Sequence, residues 1–146
     1  MTSKITYLIE CQDRNGNIHY RGGIADNMYL QIRDHLERKV RSTKGFTILR
    51  IAYSNDITDA RSKKLRGLAR RSAIQGAFEF GEGKIAYIED GELKHSHWRP
   101  FWQRCEKCQG HGVVDQVYGN ITLNAIIKCD ACDGKGGVYY PEEAIF

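Results

Sequence analysis

Cys105-Glu106-Lys107-Cys108-Gln109-Gly110-His111-Gly112 returns twenty-four residues later as Cys129-Asp130-Ala131-Cys132-Asp133-Gly134-Lys135-Gly136. Both octets read Cys-x-x-Cys-x-Gly-x-Gly, and the reading of this doublet decides how the carboxy-terminal third folds. Two cysteines three apart on a tight turn can aim both sulfurs at one ion. Two such turns complete a tetrahedron with metal–sulfur distances of about 2.3 Å. The glycines allow positive φ, so the backbone curls past the sulfurs and brings N–H groups towards them. Cys105, Cys108, Cys129 and Cys132 are therefore the expected ligands of one Zn2+. Four thiolates leave no open position, so the ion is expected to be structural. His111 and the His95/His97 pair are not expected to join it, and Cys11 reads as a small packed residue.

Between the knuckles, Val113-Val114-Asp115 and Ile121 to Lys128 read as two short strands around Tyr118-Gly119-Asn120. A hairpin there brings the two knuckles together. Pro100, between Trp98-Arg99 and Phe101-Trp102, marks the junction, which divides the chain into residues 1–98 and a zinc module of residues 99–146.

Upstream, Ile5, Tyr7 and Ile9 alternate as in a strand, and Asn15-Gly16 signals a turn into a returning strand at Ile18–Tyr20, stopped by Gly22-Gly23. Asp26 is placed to cap a helix from about Asn27 to Arg41, with Tyr29, Ile32, Leu36 and Val40 as its apolar stripe. Phe46 to Tyr53 reads as a buried strand. A second helix, capped by Ser54, Asn55 or Asp56, should run through Ile57, Ala60, Leu65, Leu68 and Ala69. Lys84–Ile88 and Leu93–Trp98 form a hairpin across Asp90-Gly91. The fold class is thus α+β: a small, mostly antiparallel sheet with two helices, followed by a four-cysteine zinc-knuckle β-hairpin module.

The 146 residues, 41% hydrophobic and 27% charged, have the composition of an ordinary soluble domain. No apolar run suggests a membrane span and Met1–Glu10 does not read as a signal peptide, so the chain is expected in the cytoplasm, where paired cysteines bind metal more often than they form disulfides. The net charge of +4 is modest but unevenly spread. Arg61, Lys63, Lys64, Arg66, Arg70 and Arg71 fall within eleven residues that contain no acid, and Lys63, Arg66 and Arg70 share a helical face. Like charges at this spacing repel. Phosphates would neutralise them, which points to nucleic acid or a transcription complex as partner; a solvated helix face is the plainer account. Trp98, Phe101 and Trp102, beside Arg99 and Arg104, either stack on bases or pack in the protein. No phosphate-binding loop, nucleophile elbow or open-site metal motif is present, so no enzymatic activity is expected. Edge strands in the first domain are compatible with a homodimer.

The doublet resembles the cysteine-rich zinc repeats of the DnaJ-type chaperones, which carry four such repeats and bind two ions; two repeats here imply one ion. The His-Pro-Asp tripeptide of a J domain is absent. The doublet and its spacer are also similar to the zinc-binding segment of the lambda-type phage late antitermination protein Q, where a tyrosine and a proline follow the second knuckle, as Tyr139, Tyr140 and Pro141 do here. Both resemblances cover only Cys105 to about Ala144. The second implies a small phage or mobile-element regulator acting on transcription. The first implies a chaperone-like or inhibitory protein-interaction module that offers Val113, Val114, Val117, Tyr118, Ile121, Leu123, Ile126 and Ile127 to a protein.

Overall fold

The computed structural model describes residues 5–37, 41–55, 71–118 and 121–140. The chain divides into two compact units, one of residues 1–101 with 141–146 and one of residues 102–140.

The first unit is built on β1 (Ile5–Gln12), which is buried along nearly its whole length. It pairs antiparallel with β2 (Ile18–Ala25) on one side and with β3 (Thr47–Ser54) on the other. After β3, the strands β4 (Gly83–Glu89) and β5 (Glu92–Arg104) form an antiparallel hairpin, and the strand order is β2-β1-β3-β5-β4. Helix α1 (Met28–Leu36) lies between β2 and β3 in the chain, and helix α2 (Arg71–Phe80) precedes β4. The helix expected through Ile57 to Ala69 lies outside the described residues. The α+β class read from the sequence is the class observed.

A central strand with no exposed face needs cover on both sides, and side chains alternate along it. Tyr7 turns to one face, where its ring meets His35 of α1 edge-on and Phe101 packs against Tyr53 and Tyr29. Leu8 turns to the other, where it joins Ala52, Trp98 and the α2 residues Ala73, Ile74 and Ala77 in one buried cluster. The helices thus cover opposite faces of the sheet.

Packing of α2 depends on the absence of side chains. A methyl group at Gly83, the first residue of β4, would lie 2.2 Å from the carbonyl oxygen of Ala73, and one at Gly76 would lie 3.0 Å from the Cα of Gly83. Gly76, a weak helix former, sits inside the helix because close approach to β4 requires it.

Several local expectations change. The helix cap is Asn27, whose side chain accepts from the Leu30 N–H at 3.2 Å, and Asp26 lies outside it. The buried stripe of α1 is Met28, Ile32 and His35, while Leu36 is exposed. The stripe turns because His35 finds buried polar partners. β2 does not stop at Gly22-Gly23: Gly23 pairs with Tyr7, and the Tyr7 ring occupies the space a Gly23 side chain would need. The first hairpin closes through Asp13, whose carboxylate accepts from the N–H groups of Asn15 and Asn17, both at 2.9 Å. His19 at 2.9 Å, with those amides, holds the Asp13 carboxyl down to about 2. The β4–β5 hairpin turns at Asp90-Gly91, with φ of 53° and 78°, the turn that Asp-Gly encodes. Trp98 and Phe101 are fully buried in this unit and unavailable for stacking on bases.

Two polar networks are buried on the two faces of β1. On one face Gln31 donates to the Tyr7 oxygen at 3.0 Å, Tyr7 stands 3.1 Å from His35 Nε2, and His35 Nδ1 stands 2.6 Å from the Thr43 hydroxyl. Both ring nitrogens of His35 thus have a hydroxyl partner, Tyr7 at Nε2 and Thr43 at Nδ1. On the other face Arg50 donates to Glu10 at 2.8 and 3.3 Å, and Tyr20 donates to Glu10 at 3.0 Å. Burial, then the Glu10 charge, pushes the Tyr20 hydroxyl up to about 12.

Gly83→Ala is expected to lower unfolding free energy by about 1–3 kcal/mol, the usual cost of overpacking, read as a lower denaturation midpoint at unchanged slope. His35 gives a pH signature. Burial lowers its pKa below the ordinary 6.5, opposed by Asp34. The unfolded chain therefore binds the proton more tightly. This contribution to stability is complete above the unfolded pKa and is lost as pH falls below it towards the folded value. Urea midpoints measured between about pH 7.5 and 5.5 should drop in the parent protein and drop less in His35→Gln.

Candidate metal centre

The second unit consists of the end of β5, the hairpin of β6 (Val113–Tyr118) and β7 (Ile121–Lys128), and the short strand β8 (Gly137–Tyr139). Trp102, Gln103 and Arg104 pair antiparallel with β8, and β6 pairs antiparallel with β7 from Val113↔Lys128 to Tyr118↔Ile121. Each knuckle follows a strand and precedes one. The knuckle from Cys105 joins β5 to β6, and the knuckle from Cys129 joins β7 to β8.

The sulfurs of Cys105, Cys108, Cys129 and Cys132 all lie within 4.8 Å of one another, and all four residues are buried. Cys105 Sγ is 3.8 Å from Cys129 Sγ, and Cys108 Sγ is 3.6 Å from Cys132 Sγ. A tetrahedron of thiolates at a metal–sulfur distance of about 2.3 Å has edges of about 3.8 Å, so the sulfurs already stand near the corners such an ion requires. The four cysteines can hold a metal ion. Val114 packs against them on the hairpin side.

Local backbone geometry follows from the glycines and repeats with the twenty-four-residue offset. Gly110 N–H donates to the Cys105 carbonyl at 3.1 Å and Gly134 N–H to the Cys129 carbonyl at 3.0 Å. Gly112 N–H donates to Cys108 Sγ and Gly136 N–H to Cys132 Sγ, each at 3.2 Å. The knuckles are also tied to one another: Cys105 N–H donates to the Gly136 carbonyl, and Cys129 N–H to the Gly112 carbonyl, each at 2.9 Å. Gly112 and Gly136 have φ of 79° and 81°, and a methyl group there would lie 2.5 Å from Gly134 O and 2.7 Å from Gly110 O, respectively. Only glycine satisfies both conditions.

The electrostatics push two of the cysteines in opposite directions. Burial raises the Cys108 thiol, but the Gly112 N–H and the Cys105 and Cys132 thiols outweigh it and bring Cys108 down to about 6. At Cys105 the backbone N–H of Cys108 lowers the value, yet burial and the three neighbouring thiols prevail and hold it up to about 11. Cys105 and Cys108 thus differ in acidity; a divalent ion bound between them would remove that conflict by taking the place of the protons.

From the sequence alone, Arg104 is named only beside the aromatic trio and Lys128 is given no role at its knuckle. Arg104 arches over Gly110 and donates to the Gln109 carbonyl, while Lys128 arches over Gly134 and pairs with Asp133 at 2.7 Å. Lys107 pairs with Asp130 of the other knuckle. The signal was present: a cation precedes both cysteine pairs at the same offset.

Arg71 is the exposed first residue of α2, close enough to Tyr20 to ease its ionisation. Arg61, Lys63, Lys64, Arg66 and Arg70 lie outside the described residues. Trp102 lies against Gly137, its ring filling the space a side chain there would need. His97 meets Glu82, and Cys11 is buried with its sulfur 3.4 Å from the His19 carbonyl. Among the described residues no helix is long and apolar enough to cross a membrane.

Cys129→Ser should abolish stoichiometric metal binding, measured by elemental analysis of the purified chain. Gly112→Ala, which retains every ligand, should weaken the metal at least about tenfold in a chelator competition, because the Cβ cannot sit beside Gly134 O without moving Cys108. Compared with known proteins, the chain matches no family model, no curated protein and no solved structure.

Proposed function

We propose that the chain is a small zinc-containing regulator in which one structural Zn2+ shapes a β-hairpin for contact with another protein. The observation that carries this reading is the exposed apolar surface raised directly on the knuckles. Val113 and Ile127 are about half exposed and Ile126 is 70% exposed. Beside them runs an open groove of about 350 Å³ lined by Lys107, His111, Val113, Val114, Asp115 and Ile126. Zinc is the ion favoured by four thiolates in a tetrahedral site, and with every corner taken it serves structure. An apolar segment of a polypeptide is the ligand such a strip suits, in line with the resemblance to the DnaJ-type repeats.

Charge supports a protein partner for this module over nucleic acid. Within residues 102–140 four cations and four acids cancel. Four thiolates around a divalent ion add two negative charges, which leaves the loaded module anionic. The burial of Trp98, Phe101 and Trp102 takes these three rings out of reach of the bases of a single strand.

Nucleic-acid binding is the second reading, and the observation in its favour lies elsewhere. The net +4 of the chain resides outside the module, and Arg61, Lys63, Lys64, Arg66, Arg70 and Arg71 are the cations of one acid-free segment. In that reading the segment grips phosphate and the module engages a protein of the transcription machinery, as the resemblance to protein Q implies.

Native mass spectrometry should show one zinc per chain, and two ions would overturn the single-site reading. Zinc-loaded protein should bind a reduced, alkylated and hence permanently unfolded polypeptide, and Ile126→Asp should weaken that binding at least about tenfold with the zinc retained. Fluorescence anisotropy with duplex DNA and single-stranded RNA across a salt series tests the second reading. Steep salt dependence, lost on changing Lys63, Arg66 and Arg70 to Glu, would favour it.

A further inference from the structure

We infer that the metal centre is an oxidant-sensitive staple whose two disulfides form across the knuckles, Cys105 with Cys129 and Cys108 with Cys132, so that the module loses its ion yet stays closed. The inference rests on the metal reading above for the ion, but its disulfide connectivity follows from the polypeptide alone.

Two observations carry it. First, the close sulfur pairs at 3.8 and 3.6 Å both join one knuckle to the other. Second, the backbone holds those partners together whether or not an ion is present. The bonds from Cys105 N–H to Gly136 O and from Cys129 N–H to Gly112 O, each 2.9 Å, join the first cysteine of each knuckle to the last glycine of the other. Both are made by peptide groups that oxidation leaves untouched. The N–H groups of Gly112 and Gly136, each 3.2 Å from its sulfur, fix Cys108 and Cys132 in place. Pairing across the knuckles draws each sulfur towards the neighbour it already faces, at 3.8 and 3.6 Å.

The chemistry balances with hydrogen peroxide as oxidant. A thiolate of one cysteine attacks one peroxide oxygen, the O–O bond breaks, and a sulfenic acid forms with release of hydroxide, which takes up a proton as water. The facing thiolate attacks the sulfenic sulfur, the S–O bond breaks, and hydroxide leaves to become the second water. Each disulfide thus consumes one peroxide and gives up two electrons. Two disulfides use all four ligands, and the divalent ion departs because no thiolate remains to hold it.

The connectivity has a structural consequence. A disulfide in each knuckle would leave the two halves joined by the hairpin and hydrogen bonds alone. Disulfides between the knuckles replace the ion with two covalent links at the same place. The hairpin therefore keeps its base, from Val113↔Lys128 onwards, in the oxidised, metal-free state.

The full chain, zinc-loaded and separately stripped with a chelator, is treated with hydrogen peroxide, and released zinc is read with a chromogenic chelator. Alkylation and trypsin follow. Cleavage after Arg104, Lys107, Lys128 and Lys135 places Cys105 and Cys108 on different peptides and Cys129 with Cys132 on one. The expected product is all three peptides in one cross-linked species, with fragmentation assigning Cys105–Cys129 and Cys108–Cys132. Zinc release should match disulfide formation in the loaded sample, and amide exchange in β6 and β7 should remain slow after oxidation. Cys105 linked to Cys108 with an internal Cys129–Cys132 bond, the diagonal pairing, or oxidation to sulfonic acids without disulfides would each overturn the inference. A chain that never carried zinc yet gives the cross-knuckle map would sink the metal reading and leave this connectivity standing.

Discussion

Two peptide hydrogen bonds, Cys105 N–H to Gly136 O and Cys129 N–H to Gly112 O, close the two knuckles upon one another, and the geometry of the metal centre depends on that closure. Each bond joins the start of one cysteine turn to the end of the other, so neither turn can move without the other. They form only because Gly112 and Gly136 take positive φ and bring bare Cα atoms against the carbonyls of Gly134 and Gly110. A side chain at either position breaks the contact and displaces a sulfur in the same stroke. Placement of the four sulfurs is therefore a property of the backbone, which a bound ion would consolidate. The outer ion pairs, Lys107 with Asp130 and Lys128 with Asp133, lie at the surface and contribute much less.

The first unit solves a different problem, which is a central strand with no face to spare. Tyr7 and Leu8 are neighbours in sequence and lie on opposite faces, one beneath α1 and one beneath α2. Each face also buries a polar group, His35 on one and Glu10 on the other, and each is fully answered. His35 is held between Tyr7 and Thr43, and Glu10 takes two bonds from Arg50 and one from Tyr20. Buried charge and buried imidazole are tolerated there because no partner is missing; removing one partner would leave the other to bear the cost of desolvation.

What the sequence disclosed follows from the range of the forces involved. The ligand set was legible because metal coordination fixes residue type and spacing within four positions, and Asp90-Gly91 was legible because its turn is decided by two residues. The cap at Asn27, the run of β2 through Gly23 and the burial of His35 were not. Gly23 depends on the Tyr7 ring, His35 on Tyr7 and Thr43, and Gly76 on Gly83, all of them partners distant in the chain. Glycines at 22 and 23 look like a stop when read locally. Gly23 makes room for the Tyr7 ring once β1 is placed beside it. The Leu36 stripe failed for a similar reason, since an apolar count takes no account of a histidine whose two nitrogens are both satisfied inside the protein.

The distribution of charge bears most directly on function. A positive chain that carries a cysteine doublet invites the view that the metal module touches nucleic acid. Yet the module contributes no net positive charge, and an ion held by four thiolates would make it negative. Three of its cations are engaged: Arg104 on the Gln109 carbonyl, Lys107 on Asp130, Lys128 on Asp133. What it offers outward is apolar, with Ile126 the most exposed of the hairpin's described aliphatic side chains. On the proposed readings, phosphate contact would fall to the cations between Arg61 and Arg71, and the hairpin on the knuckles would serve a protein partner. The two readings are in this sense assigned to different stretches of the chain, and a substitution in one need not disturb the other.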